Sequence, residues 1–190
     1  MLMTARSFLV TAAAVAALAV IGVLYGMRSG PVHAAAAPPQ ALARLTPAKT
    51  PTQVAAVAFT GADGQHHALR ELEGHYVLLN LWAVWCAPCV KELPALARLQ
   101  AGAPRLKVVP VDVARGTPAD AAAFLKAHGA ASLPAYIDTD LALMRAFGAY
   151  GLPLTVLIDD KGREVARAVG PAEWDAPDAI AYFKALTAKS

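Results

Sequence analysis

Cysteine is scarce in this chain, with two among 190 residues. A single pair cannot framework a domain of this length, so a disulfide-stapled scaffold is excluded and the sulfurs are better read as chemistry. Charge is scarce as well, at 16% of residues. The formal balance of +3 owes much to Arg6 and Arg28, which flank an apolar N-terminal run, and no acidic residue precedes position 30. The rest of the chain is near neutral, without the clustered Lys/Arg face of a nucleic-acid-binding protein. It also lacks a flavin or nicotinamide fingerprint, and no histidines stand at metal-ligand spacing. No cofactor and no resident metal are therefore expected beyond whatever the cysteine pair itself does.

Residues 8–27 form an uncharged, mostly apolar run of about twenty, enough to span the hydrocarbon core of a bilayer. Val32-His33-Ala34 resembles a small-x-small cleavage site, but a signal peptide usually has a shorter apolar region of roughly 7–15 residues. The length favours an uncleaved anchor over a cleaved signal. The weak basic bias points the N-terminus toward the cytoplasm and the rest of the chain beyond the membrane. Three parts follow: a membrane anchor or signal segment over 1–29, an Ala/Pro-rich linker over 30–53, and one compact domain over 54–190. The linker carries Pro31, Pro38, Pro39, Pro47 and Pro51 and lacks a periodic apolar pattern, as a semi-extended tether would.

Strand and helix signals alternate through the domain. Short strands are expected at 54–59 and near 67–69, joined at Asp63-Gly64 as an N-terminal hairpin. The run 75–82 reads as a buried strand and 86–100 as a helix whose apolar face holds Val90, Leu93, Leu96 and Ala97. Pro94 should kink that helix. A buried strand at 106–113, a helix at 118–128 and a short strand at 136–137 come next. Then come a short helix at 141–147, paired strands at 154–158 and 164–169, and a last helix to about 188 capped by Asp175.

Both cysteines fall at the turn between the 75–82 strand and the helix, as Cys86-Ala87-Pro88-Cys89. A lone Cys-x-x-Cys in that setting reads as a thiol–disulfide redox centre. The spacing lets the sulfurs meet across one turn, and a helix N-terminus favours thiolate on the first. Zinc would need two further ligands, and covalent haem would need histidine where Val90 stands. A Cu(I) carrier using the two thiolates is a competing reading, since soft thiolates select Cu(I).

Three blocks resemble the thioredoxin superfamily and, within it, the membrane-tethered TlpA/ResA-like thiol–disulfide oxidoreductases. The first runs from Val77 through Trp82-Ala83-Val84-Trp85-Cys86-Ala87-Pro88-Cys89 to Lys91-Glu92-Leu93-Pro94. The second is Gly151-Leu152-Pro153-Leu154-Thr155-Val156-Leu157-Ile158-Asp159. The third, Gly170-Pro171-Ala172-Glu173-Trp174, resembles the TlpA branch in particular. The resemblance implies an α/β, thioredoxin-like fold: a central mixed β-sheet flanked by helices, with a TlpA-type helix-strand insertion at about 118–137. It implies Cys86 as the attacking cysteine, Cys89 as the resolving one and Pro153 as a cis-proline that presents the Leu152 backbone to substrate. Trp85 would shape the rim of the site.

The neutral Ala87-Pro88 dipeptide adds nothing to stabilise a thiolate, which argues for a protein-disulfide reductase rather than an oxidant. Asn80 stands where thioredoxins carry a buried acid, so another group must take the proton of Cys89. Glu92 is a candidate, although its place on the helix is expected to point it toward solvent. The resemblance implies cysteine-containing periplasmic partners: a copper chaperone or oxidase subunit in cytochrome oxidase assembly, or an apocytochrome c before haem attachment. It also implies a membrane thiol carrier as electron donor. A peroxidase of the same fold fits less well, because such sites use one attacking cysteine in a different motif. Trp174 is read as a packing residue.

Overall fold

The structure is a computed structural model and describes residues 37–188. The expected anchor over 1–29 lies outside the described residues. Eight strands form one mixed sheet in the order β1-β8-β7-β4-β5-β6-β2-β3. These are β1 (Thr46–Gln53), β2 (Ala58–Gly61), β3 (His66–Ala68), β4 (Val77–Trp82), β5 (Lys107–Asp112), β6 (Tyr136–Ile137), β7 (Leu154–Ile158) and β8 (Arg163–Val169). Four α-helices accompany them: α1 (Ala87–Gly102), α2 (Pro118–Ala127), α3 (Ala142–Ala146) and α4 (Pro177–Thr187).

β4 is central because it is apolar on both faces, and all six of its residues are buried. It pairs in parallel with β5 and antiparallel with β7. The parallel partner requires a crossover, and α1 supplies it. β5 pairs in parallel with β6 across α2, and this helix and strand fall at 118–127 and 136–137, close to the bounds read from the sequence. The β7–β8 turn closes at Gly162, whose backbone adopts a φ of +72°. A side chain there would meet Gln53 Nε2 at 2.8 Å, so strain and space both call for glycine.

α1 begins with Pro88 in its first turn, where no intrahelical N–H is needed. It continues through Pro94 to Gly102. Leu93, Leu96 and Leu99 are fully buried against the sheet. α2 opens on a capping box between Thr117 and Asp120 and ends before Gly129, which takes a left-handed φ of +73°.

Two expectations need correction. The segment 30–53 is not all tether. A 3-10 turn at Gln40–Leu42 places Leu42 and Leu45 in the core, and β1 pairs antiparallel with β8. The pull is hydrophobic burial by the two leucines plus an open sheet edge. Pro47 and Pro51 fit because β1 is an edge strand, and its register shifts between Pro47 and Thr52. Gln53 Nε2 donates to the carbonyls of Lys161 and Gly162, tying the end of β1 to the β7–β8 turn. Among the described residues the first element is thus the turn at Gln40–Leu42, and the hairpin strand expected at 54–59 is displaced to Ala58–Gly61. The second correction concerns α4. Its N-cap is Ala176, and Asp175 instead pairs with Arg98 on α1 at 2.6 Å.

Candidate active site at the start of helix α1

β4 runs straight into the site. Four residues after Trp82 the chain reaches Cys86, the N-cap of α1, and Cys89 follows in the first helical turn. The two are joined as a disulfide, with Cα atoms 5.3 Å apart. Cys86 Sγ also accepts the backbone N–H of Cys89 at 3.3 Å. After reduction, the same N–H and the helix terminus favour a thiolate at Cys86. Cys89 is fully buried. Cys86, the attacking cysteine that the resemblance implies, is only 5% exposed in this oxidised state, with its sulfur bonded to Cys89. Its neighbours Ala87 and Pro88 are exposed.

Trp85, expected at the rim, is 71% exposed. The peptide bond between Leu152 and Pro153 is cis, as expected. Leu81 pairs with Leu154, so continuing that register sets Pro153 and half-buried Leu152 alongside Trp82 and Ala83, at the end of β4 that leads to the cysteines. Val84, next to Trp85 in the chain, is exposed as well.

The largest departure concerns Glu92. It does not point to solvent: it is 4% exposed and sits one helical turn beyond Cys89 on the buried side of α1. Its Oε1 accepts the Asn80 amide Nδ2–H at 2.8 Å, and its Oε2 accepts the Trp174 indole N–H at 3.0 Å. The Ala172 backbone amide lies against the same carboxyl and also favours its charged form. Asn80 also donates to Thr155 Oγ1 at 2.9 Å, its cross-strand neighbour on β7. Burial pushes the Glu92 carboxyl up to about 7, against the three donors that hold it down. The group is therefore poised to exchange a proton near neutral pH. Asn80 Oδ1 has no hydrogen-bond partner among the described residues. Trp174, read from the sequence as packing, is fully buried and does pack on Phe183, but its indole nitrogen reaches the site.

The sequence thus named Cys86, Cys89, Asn80, Glu92, Trp85, Ala87, Pro88, Leu152 and Pro153, and the fold gathers them at one end of β4 and α1. It missed Thr155 as a partner of Asn80 and Trp174 as a partner of Glu92. Both links cross more than 70 positions of sequence, and no local pattern carries them.

Residues 51–166 match the AhpC/TSA family. The chain is 33% identical over 110 residues to the thiol-disulfide oxidoreductase ResA of Bacillus subtilis, covering 57% of this chain and 60% of that protein. It is 30% identical over 132 residues to ResA of Bacillus thuringiensis, covering 67% of this chain and 73% of that one. Among solved structures, a DsbE-type thiol:disulfide interchange protein of Chlorobium tepidum superposes with a TM-score of 0.60 at 27% identity, over 70% of this chain and 96% of that chain. The chain belongs to the AhpC/TSA family of thioredoxin-like proteins, among its ResA-type thiol–disulfide oxidoreductases.

Proposed function

We propose that this chain is a protein-disulfide reductase acting outside the cytoplasm, in which Glu92 takes the proton of Cys89. The observation that carries the reading is the buried Glu92 carboxyl one turn beyond Cys89, held near neutrality by Asn80 and Trp174.

The cycle starts from the reduced pair. The Cys86 thiolate attacks one sulfur of a target disulfide, and the target's other sulfur leaves as thiolate. Cys89 then loses its proton to the Glu92 carboxylate and attacks Cys86 Sγ. The Cys86–Cys89 bond closes and the second target sulfur leaves. Two electrons pass to the target, whose thiolates take up protons from solvent and from Glu92. An external dithiol restores the pair by the reverse sequence, and a membrane thiol carrier would fill that role.

The neutral Ala87-Pro88 dipeptide supports the reducing direction. The apolar run at 8–27 supports attachment to a membrane, although among the described residues no helix is long and apolar enough to cross one. The Gly170–Trp174 block supports copper-site proteins of cytochrome oxidase assembly as targets, by its resemblance to the TlpA branch. The similarity to ResA proteins favours a second target class, apocytochrome c.

A Cys89→Ser chain expressed in cells tests the activity and the target together. It should accumulate as a mixed disulfide on Cys86 with a cysteine-pair protein. Absence of any adduct, with stoichiometric Cu(I) uptake by the reduced wild-type protein, would favour the copper-carrier reading instead.

A further inference from the structure

The loop after β8 lies across the buried carboxyl. Within it, Trp174 is fully buried and places its only donor on Glu92 Oε2 at 3.0 Å. One residue later Asp175 clamps the loop to α1 through Arg98 at 2.6 Å. Between loop and helix runs a groove of about 520 Å³, with Glu92 among its lining residues beside Pro88, Lys91, Ala172 and Glu173. Glu92 lines this groove although it is only 4% exposed.

We propose that Trp174 is a positioning residue for disulfide exchange: its indole N–H fixes Glu92 Oε2 and sets how readily that carboxyl takes and releases a proton through the groove between α1 and the 171–175 loop.

A carboxylate in a dry setting keeps its charge only through donors, and hydrogen bonds to charged groups are the strong ones. Asn80 on β4 holds Oε1, and Trp174 holds Oε2. Removing one donor leaves the burial and weakens the compensation, so the protonated form gains. Trp174 has no acceptor function, so its effect has one sign. The charged groups around Glu92 are Lys91 and Arg98 on α1 with Glu173 and Asp175 on the loop, two of each sign at the groove. β4 and β7 contribute the uncharged Asn80 and Thr155, and α4 contributes the ring of Phe183 against Trp174. Trp174 is the neighbour from this loop whose side chain donates directly to the carboxyl.

The inference deepens the proposed role of Glu92 and takes its consequence for catalysis from that reading. The test uses the oxidised protein, in which neither cysteine titrates. The Glu92 side-chain carbon is followed by NMR across pH in wild type and in Trp174→Phe. The midpoint should rise by about one pH unit in the variant, a tenfold gain in proton affinity. An unchanged midpoint overturns the proposal. Should the variant fail to fold, the wild-type indole Nε1–H resonance of Trp174 decides: it should titrate together with the Glu92 carbon, and a flat resonance overturns the proposal equally. A Glu92 midpoint that moves in Trp174→Phe while the pH profile of mixed-disulfide resolution stays wild-type would keep the hold of Trp174 on the carboxyl but overturn its part in disulfide exchange, together with the assignment of Glu92 to Cys89.

Discussion

Glu92 sits at the centre of the site because two opposing effects act on it. Burial penalises its charge, while the donors from Asn80, Trp174 and the Ala172 backbone favour it, and burial prevails. The midpoint therefore lies above the ordinary value of 4.5, at about 7, and the native state binds this proton more tightly than the unfolded chain does. The stabilisation linked to it is fully present below about pH 4.5 and is lost as pH rises through about 7. Denaturant unfolding of the oxidised protein should show a decline between those values on the order of 3 kcal/mol, and Glu92→Gln should remove most of it. Buried Asp112, pushed up in the same direction by desolvation, accounts for part of any remaining slope. A Glu92→Gln protein with an undiminished slope would show that the carboxyl is ionised throughout. Asn80 marks a further contrast. Asn80→Asp would set a second carboxyl against Glu92, and two neighbouring acids cannot both ionise cheaply. The Glu92 midpoint, followed by NMR, should then climb well above its wild-type value; a fall would mean that the new acid keeps its proton and donates to Glu92.

At the scale of elements, α1 explains both what the sequence revealed and what it concealed. Its buried stripe runs through Cys89, Glu92, Leu93, Leu96 and Leu99, the spacing of one helical face. Placing Glu92 on the wet side followed from its charge, whereas its position three residues after Cys89 was already on that stripe. The motif made the cysteines legible, since their chemistry depends on spacing along the chain. The contacts that hold Glu92 come from β4 and from a loop 82 positions later, and only the fold brings them together. The strand and helix order was legible for a similar reason: β4 and α1 carry strong local patterns. β1 was not, because an exposed edge strand with two prolines has no apolar alternation to read. Its importance is testable. A chain beginning at residue 54 lacks β1 and the buried Leu42 and Leu45, each of which contributes roughly 1.5–3 kcal/mol by burial. It should unfold at clearly lower denaturant than a chain beginning at 37, with a transition measured by far-ultraviolet circular dichroism. Equal midpoints would return 37–53 to the status of a tether.

On the scale of the whole molecule, the fold presents the disulfide at the edge of an apolar rim. Val84 and Trp85 are exposed there, directly before Cys86 in the chain. Scattered apolar residues are ordinary on a surface, but a group of them around a reactive bond suits contact with another chain. Trp85→Ala should leave stability within about 0.5 kcal/mol of wild type while raising KM for a protein disulfide several-fold, read from steady-state reduction. A change confined to kcat would move Trp85 from docking to the chemistry. The rim and the buried carboxyl fit the proposed cycle, in which the protein meets a cysteine-containing partner and closes its own disulfide once the partner is reduced. The most direct measurement of that account is the rate at which Cys89 resolves a preformed mixed disulfide on Cys86, followed by stopped flow from pH 5 to pH 9. The wild-type rate should rise through an inflection near 7, and Glu92→Gln should lose that inflection and run roughly a hundredfold slower at neutral pH. Superimposable wild-type and Glu92→Gln profiles would contradict it.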